Sequence, residues 1–337
     1  MRVLAARFLA TALPAVSAPL LLSLVMLSPA TALGADAQEP VEQVPPEQED
    51  DGFFGLDWLD RTQAFTSSRA DALANRVDRF FGVERSDLEA AYSSLRFGTE
   101  FRYYEGEGFD PRVRLRGRLH LPRLNERLSL IFSEDKGEGA SYYSQNDLLN
   151  EPQSTRVNLE VNLGQTDKHR FDYRVGLRSN LKLRTSFRYR YESDLTESML
   201  HRLSETVYFI DGIGFGSFTQ YQVDRALNDV SLIRWSNEFR AEEDLDGVEW
   251  STSLNHVSSY DNNFAMIYFV SMSGLSDYDY VSRYQIGARF RRSIARPWLF
   301  LELSPAWRWD KEVGSPRRES EFFASVRLEM AIGRLDR

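Results

Sequence analysis

The chain has 337 residues, no cysteine and four scattered histidines, His120, His169, His201 and His256. That excludes a disulfide framework and a thiolate metal site, and with no histidine pair at ligand spacing no cofactor or metal is expected. The formal charge is −9, yet residues 36–92 alone carry −9 and residues 93–337 only −2, a balance that argues against nucleic-acid binding.

The first 37 residues, "MRVLAARFLATALPAVSAPLLLSLVMLSPATALGADA", join two arginines, a long apolar run and small residues. They read as a secretory signal peptide cleaved after Ala32 or Ala37, each of which closes an A-x-A site. No lipobox cysteine follows, so no lipid anchor is expected. Residues 38–52, acidic and proline-containing, read as a disordered linker. Residues 53–92 read as a periplasmic region holding an amphipathic helix over about 57–81. Trp58, Leu59, Phe65, Leu73, Val77, Phe80 and Phe81 recur there at helical spacing, and Gly82 stops the pattern. Such a helix would be a cap packed on the main domain, or a plug.

From residue 93 the apolar period is two. In "RVRLRGRLHL" (112–121) strand spacing puts Arg112, Arg114, Arg116 and Arg118 on one face and Val113, Leu115, Gly117, Leu119 and Leu121 on the other. The same alternation runs through fourteen stretches: 95–104, 112–121, 127–134, 155–164, 169–178, 181–191, 201–211, 213–224, 230–240, 247–260, 263–273, 280–292, 297–309 and 319–330. Aromatic residues make up 13% of a chain whose mean hydropathy is only −0.43, which suits a membrane barrel, where alternate residues face water. No later run of about 18 apolar residues could form a spanning helix. The expected fold is therefore all-β, a transmembrane antiparallel up-and-down barrel over 93–330 with about 14 strands (12 being the alternative), followed by a tail at 331–337. A soluble sandwich also alternates, but it does not call for such long, uniform and contiguous runs after an export signal.

Connection lengths orient the barrel. Short turns belong on the periplasmic side and long loops outside, so 134–154 is expected at the cell surface. "PRLNE" (122–126) and "GQTDK" (164–168) are expected to be inner turns. Two places strain this scheme: the 179–180 connection is short for an outer loop, and 192–200 is long for an inner one. Tyr103, Trp250, Tyr280, Trp307 and Trp309 then form an outer aromatic girdle, with Tyr189 and Tyr191 in the inner one. The apolar face meets lipid, where a charge at mid-depth costs about 2–4 kcal/mol, so the arginines must point inward.

The lumen-facing candidates are Arg112, Arg114, Arg116, Arg118, Arg174, Arg178, Arg184, Arg188 and Arg190, with Glu100 and Glu160 among the acids. Acids near the arginine row look too few to pair it, so part of the row should face water and draw anions. That favours a channel for small anionic solutes. The alternative is a closed structural or assembly barrel without transport. A third reading, an outer-membrane lipid hydrolase, would use His256 and Ser258 in "NHVSSYDNN" as base and nucleophile. H-x-S is a weak pattern, however, and no enzyme is expected. The glycines of "DGIGFGSF" (211–218) read as a tight hairpin, since no helix follows them as a phosphate loop requires.

The stretches "GFGSFTQYQVDRALND", "SLIRWSNEFRAEE" and "RPWLFLELSPAWRW" resemble Gram-negative outer-membrane β-barrel proteins of a family with uncharacterised activity. The resemblance covers about 93–330. It supplies fold and location only, the outer membrane; membrane lipid and the barrel assembly machinery are the expected partners, and the oligomeric state is left open. One departure is the last strand, "ESEFFASVRLEMAIGRLDR", which does not end on an aromatic residue.

Overall fold

The computed structural model describes residues 68–81, 93–106, 108–121, 127–134, 155–178, 182–261 and 263–333. The expected signal peptide and linker, the 57–67 part of the expected helix and the long loop 135–154 lie outside them. One helix, α1 (Arg69–Phe81), precedes fourteen strands: β1 (Ser94–Tyr104), β2 (Gly108–His120), β3 (Leu128–Glu134), β4 (Thr155–Gln165), β5 (His169–Arg178), β6 (Leu183–Thr196), β7 (Met199–Ile210), β8 (Gly214–Ala226), β9 (Ser231–Glu242), β10 (Glu249–Ser259), β11 (Phe264–Leu275), β12 (Arg283–Ser293), β13 (Leu299–Asp310) and β14 (Glu319–Gly333). Each strand pairs antiparallel with its sequence neighbour, and β14 returns to β1, closing the barrel. Closure leaves no strand edge, which is what a sheet needs in lipid.

The alternation read from the sequence is the alternation of the walls. In β9, Arg234, Ser236, Glu238 and Arg240 are buried, while Trp235 and Phe239 stay 46% and 45% exposed. A barrel whose exposed face is Phe, Trp, Leu and Val spans a membrane, and the bacterial outer membrane is where such barrels reside.

Both strained connections resolve. β6 runs on to Thr196 with a bulge at 194/196, leaving residues 197–198 as the turn into β7. β6 starts at Leu183 rather than 181, which lengthens the connection before it. β14 continues three residues past the expected end, because β1 begins at Ser94 and Leu95, which pair with Gly333 and Ile332. The tail expected from 331 therefore begins after Gly333. The 211–213 hairpin turns with Gly212 and Gly214 at φ +80° and +105°, conformations glycine adopts without strain.

The helix sits within one barrel end, packed on the wall. That end, here called the inner end, holds Ser94, Gly333 and the turns at 197–198, 227–230 and 294–298. Ser68 caps α1: its hydroxyl accepts from the Asp71 N–H at 3.2 Å and donates to Asp194 at 2.5 Å. Ala70 N–H donates to Glu197 O in the β6–β7 turn. Near the other end of α1, Arg96 of β1 donates to Arg79 O and Phe80 meets the Phe300 ring edge-on at 5.5 Å. The helix thus crosses the mouth from β7 to β13 and β1. Its apolar face (Ala70, Leu73, Ala74, Val77, Phe81) packs against Leu200, Leu232, Val257, Ala265 and Ile267 of the wall. These wall residues lie on the inward side, which is elsewhere mostly polar apart from a smaller cluster of Tyr208, Ile210 and Phe218, so the barrel carries an apolar seat for the helix.

Candidate functional site

The lumen is a lattice of arginines and carboxylates contributed by alternate residues of neighbouring strands. Glu160 accepts from Arg174 Nε at 2.6 Å and pairs with Arg118 at 3.2 Å and Arg170 at 3.6 Å. Asp172, one strand on, binds Arg170 and Arg190. Glu100 pairs with Arg114 at 2.7 Å and with Arg102 and Arg327. Arg291 joins Glu302 at 3.0 Å to Glu329 at 2.5 Å. These contacts overturn the expectation that the arginine row lacks nearby acids. Arg112 pairs with Asp110 of its own strand, Arg114 with Glu100 and Arg118 with Glu160, and Arg116 stands opposite Arg96, itself paired with Glu329. Closing the barrel brings β14 beside β1 and β4 within reach of β2, and no local count of acids contains that. The Arg112 and Arg114 side chains keep 30% and 22% exposure, so the row is paired and still wetted.

Arg174, Arg184, Arg188 and Arg190 point inward as expected. Arg184 stacks over Tyr208 at 4.4 Å and Arg188 Nε donates to Thr206 at 3.0 Å. The Arg178 side chain lies outside the described residues. Among the aromatics, Tyr103, Trp307 and Trp309 face outward, as does Trp250 in register with Phe239. Tyr280 sits in the β11–β12 loop, stacked on Tyr278 under Lys311, rather than on a strand. Tyr189 and Tyr191 join a longer outward row: the His169 ring contacts both, His201 meets Tyr191 and Tyr221 edge-on, and Tyr221 meets Trp235. His256 and Ser258 face outward near the inner end of β10, and among the described residues no hydrogen bond joins them.

The tightest cluster was missed from the sequence. Asp224 accepts from Arg234 at 2.6 and 2.8 Å and from Arg202 at 3.0 Å; Asp78 of α1 accepts from Arg234 at 2.7 Å and from Arg202 at 3.4 Å. All four side chains are buried. The signal was present, because the parity that points Glu238 inward points Arg234 inward too. The pairing with Asp78, 156 residues away, had no local trace.

The seated helix divides the mouth. On the side of β8 to β13 α1 packs against its apolar seat. On the other side a cavity of 590 Å³ remains between α1 and the wall of β4 to β8. It reaches the β4–β5 turn and is lined by the cations Lys168, Arg170, Arg188, Arg190 and Arg202 against the acids Asp71, Asp167 and Glu192. Amides and hydroxyls fill most of the rest of its lining, among them Asn75, Gln220, Gln222 and Ser204.

No family model matches the chain, and no curated protein does. Among solved structures, it is similar to the anion-selective porin from Comamonas acidovorans (8% identity over 71% of this chain and 98% of that one, TM-score 0.44). It is also similar to OprB of Pseudomonas putida at low pH (10%, 74% and 95%, TM-score 0.45) and to a bacterial polysaccharide outer-membrane secretin (11%, 72% and 99%, TM-score 0.44). At these identities the likeness is one of barrel architecture alone.

Proposed function

We propose that the protein is an outer-membrane channel for small anions, with α1 fixed in one half of the inner mouth and the solute path running through the other. The observation that carries this reading is the cavity beside α1, whose wall bears five cationic side chains against three acidic ones. The inner end is the periplasmic one in this reading, because the short turns gather there. Solutes would pass from the wetted Arg112 and Arg114 toward Arg190 and Arg188.

Reconstituted in a planar bilayer, the protein is expected to conduct with chloride preferred over potassium. Replacing Arg188 and Arg190 together by serine should weaken that preference while the barrel keeps its heat-modifiable migration. The density of ion pairs in the lumen supports a second reading, a closed structural barrel. A folded, heat-modifiable and electrically silent preparation would establish that reading and reject the channel.

A further inference from the structure

The exterior departs from its own rule in one sector. Near mid-strand the outward residues are apolar around most of the barrel, as at Leu115, Leu159, Val270, Leu303 and Val326, each more than 40% exposed. Thr99 and Thr185 are isolated hydroxyls, the latter donating to Tyr173. On β7 to β10, by contrast, four consecutive strands each turn a polar side chain outward at about the same height: Glu205, Thr219, Asn237 and Thr252. Glu205 is the seventh of twelve residues in β7, and Asn237 the seventh of twelve in β9. Glu205 is in register with Thr219, and Asn237 with both Tyr221 and Thr252.

Their contacts do not satisfy them. Thr219 donates to Glu205 at 2.5 Å, and Trp235 Nε1 donates to Thr252 at 3.0 Å. The Asn237 carboxamide makes no hydrogen bond among the described residues. A carboxyl with one hydroxyl partner and an unpartnered carboxamide are costly against acyl chains, which offer neither donor nor acceptor. An ionisable group at that depth marks a face that lipid does not cover.

The geometry points to a second copy of this chain as the occupant, in a two-fold dimer packed through β7 to β10. The partner must cross the membrane and present polar groups at the same depth. An identical barrel does so by symmetry. The patch is also self-complementary about β8. A two-fold axis along the membrane normal places β7 of one protomer against β9 of the other, so Glu205, which needs donors, meets the partner's Asn237, which supplies them. Val207, Trp235 and Phe239, exposed around the patch, provide the apolar packing that association in lipid requires. This inference is independent of whether the lumen conducts.

The cysteine-free sequence allows a direct test. Ser217→Cys places a thiol outward on β8, near the axis; Thr99→Cys places one outward on β1, seven strands away. In native outer membranes treated with a short membrane-permeable bis-maleimide, Ser217→Cys should give an adduct of twice the monomer mass and Thr99→Cys should not. Adding Glu205→Leu and Asn237→Leu to Ser217→Cys should abolish the adduct while heat-modifiable migration persists. The dimer is overturned by no adduct from Ser217→Cys, by equal adducts from both positions, by an adduct of another mass, or by an adduct that survives the leucines. The comparison of the two cysteines decides even if the leucine variant does not fold.

Discussion

Replacing Leu73, Val77 and Phe81 together by serine is expected to unseat α1 and raise the unit conductance severalfold. The three side chains are 4%, 0% and 1% exposed. Burying a residue of this size contributes about 1.5–3 kcal/mol, so the three contribute about 5–9 kcal/mol to seating the helix. The ion pairs of Asp78 add less than their number suggests, because desolvating four charges offsets much of their attraction. Asp78→Asn is therefore expected to leave the helix in place, and the serine variant to release it. Two measurements separate the outcomes: conductance in planar bilayers, and cleavage of α1 at Arg76 by trypsin added from the inner side. A helix that becomes cleavable without any rise in conductance would show that α1 is not the obstruction. Apolar anchoring also bears on mechanism. Withdrawing the helix would expose Leu232, Val257 and Ile267 to water, so the seat favours a fixed constriction with permeation beside it over a plug that leaves and returns.

The walls were legible because period two is a local property: each residue's face follows from its neighbours alone. That was enough to point Glu100, Glu160 and the row from Arg112 to Arg118 inward, and to place Trp307 and Trp309 outward. What was not legible depends on closure and shear. Arg118 meets Glu160 of β4 and Arg96 meets Glu329 of β14, strands further away in sequence, and the expected shortage of acids failed for that reason. The place of α1 was hidden for a related cause. Among its 13 residues the acids Asp71 and Asp78 are buried along with the apolar Leu73, Val77 and Phe81, and Arg202 and Arg234 of the wall, which pair with Asp78, left no mark near the helix in the sequence. The seat was hidden too, since Leu200 and Leu232 lie beside turns, where an apolar residue on the inward face reads as a frayed strand end. Glu205 was visible throughout, sharing its parity with Leu203 and Val207. Its meaning came only once Thr219 and Asn237 were seen at the same height.

Asp224→Ala is expected to produce the largest loss of stability of any single substitution in the barrel wall. Asp224 takes three hydrogen bonds from two buried guanidiniums. Removing it leaves Arg234 with Asp78 at 2.7 Å, and Arg202 with Glu192 at 3.2 Å and Asp78 at 3.4 Å. Breaking a buried ion pair from one side costs about 3–5 kcal/mol, because the stranded charge stays desolvated. Removing both partners strands much less. Asp224→Ala combined with Arg234→Met should therefore recover most of the loss, even though it deletes more of the native contacts. The measurement is the urea concentration at which the heat-modifiable folded band disappears. A double variant as unstable as the sum of its single changes would mean that the two residues act independently and that the cluster is not a unit. The same pair of variants separates two uses of arginine within one lumen. Arg234 does not line the cavity, and Arg202, which Asp224 also holds, keeps Glu192 there, so the double variant should change ion selectivity less than the loss of Arg188 and Arg190. Arg188 and Arg190 line the cavity, and their loss should change selectivity with a smaller fall in the urea midpoint than Asp224→Ala gives, because Asp172 keeps Arg170. If the double variant alters selectivity as much as the serine changes do, Arg188 and Arg190 are not the groups that set it.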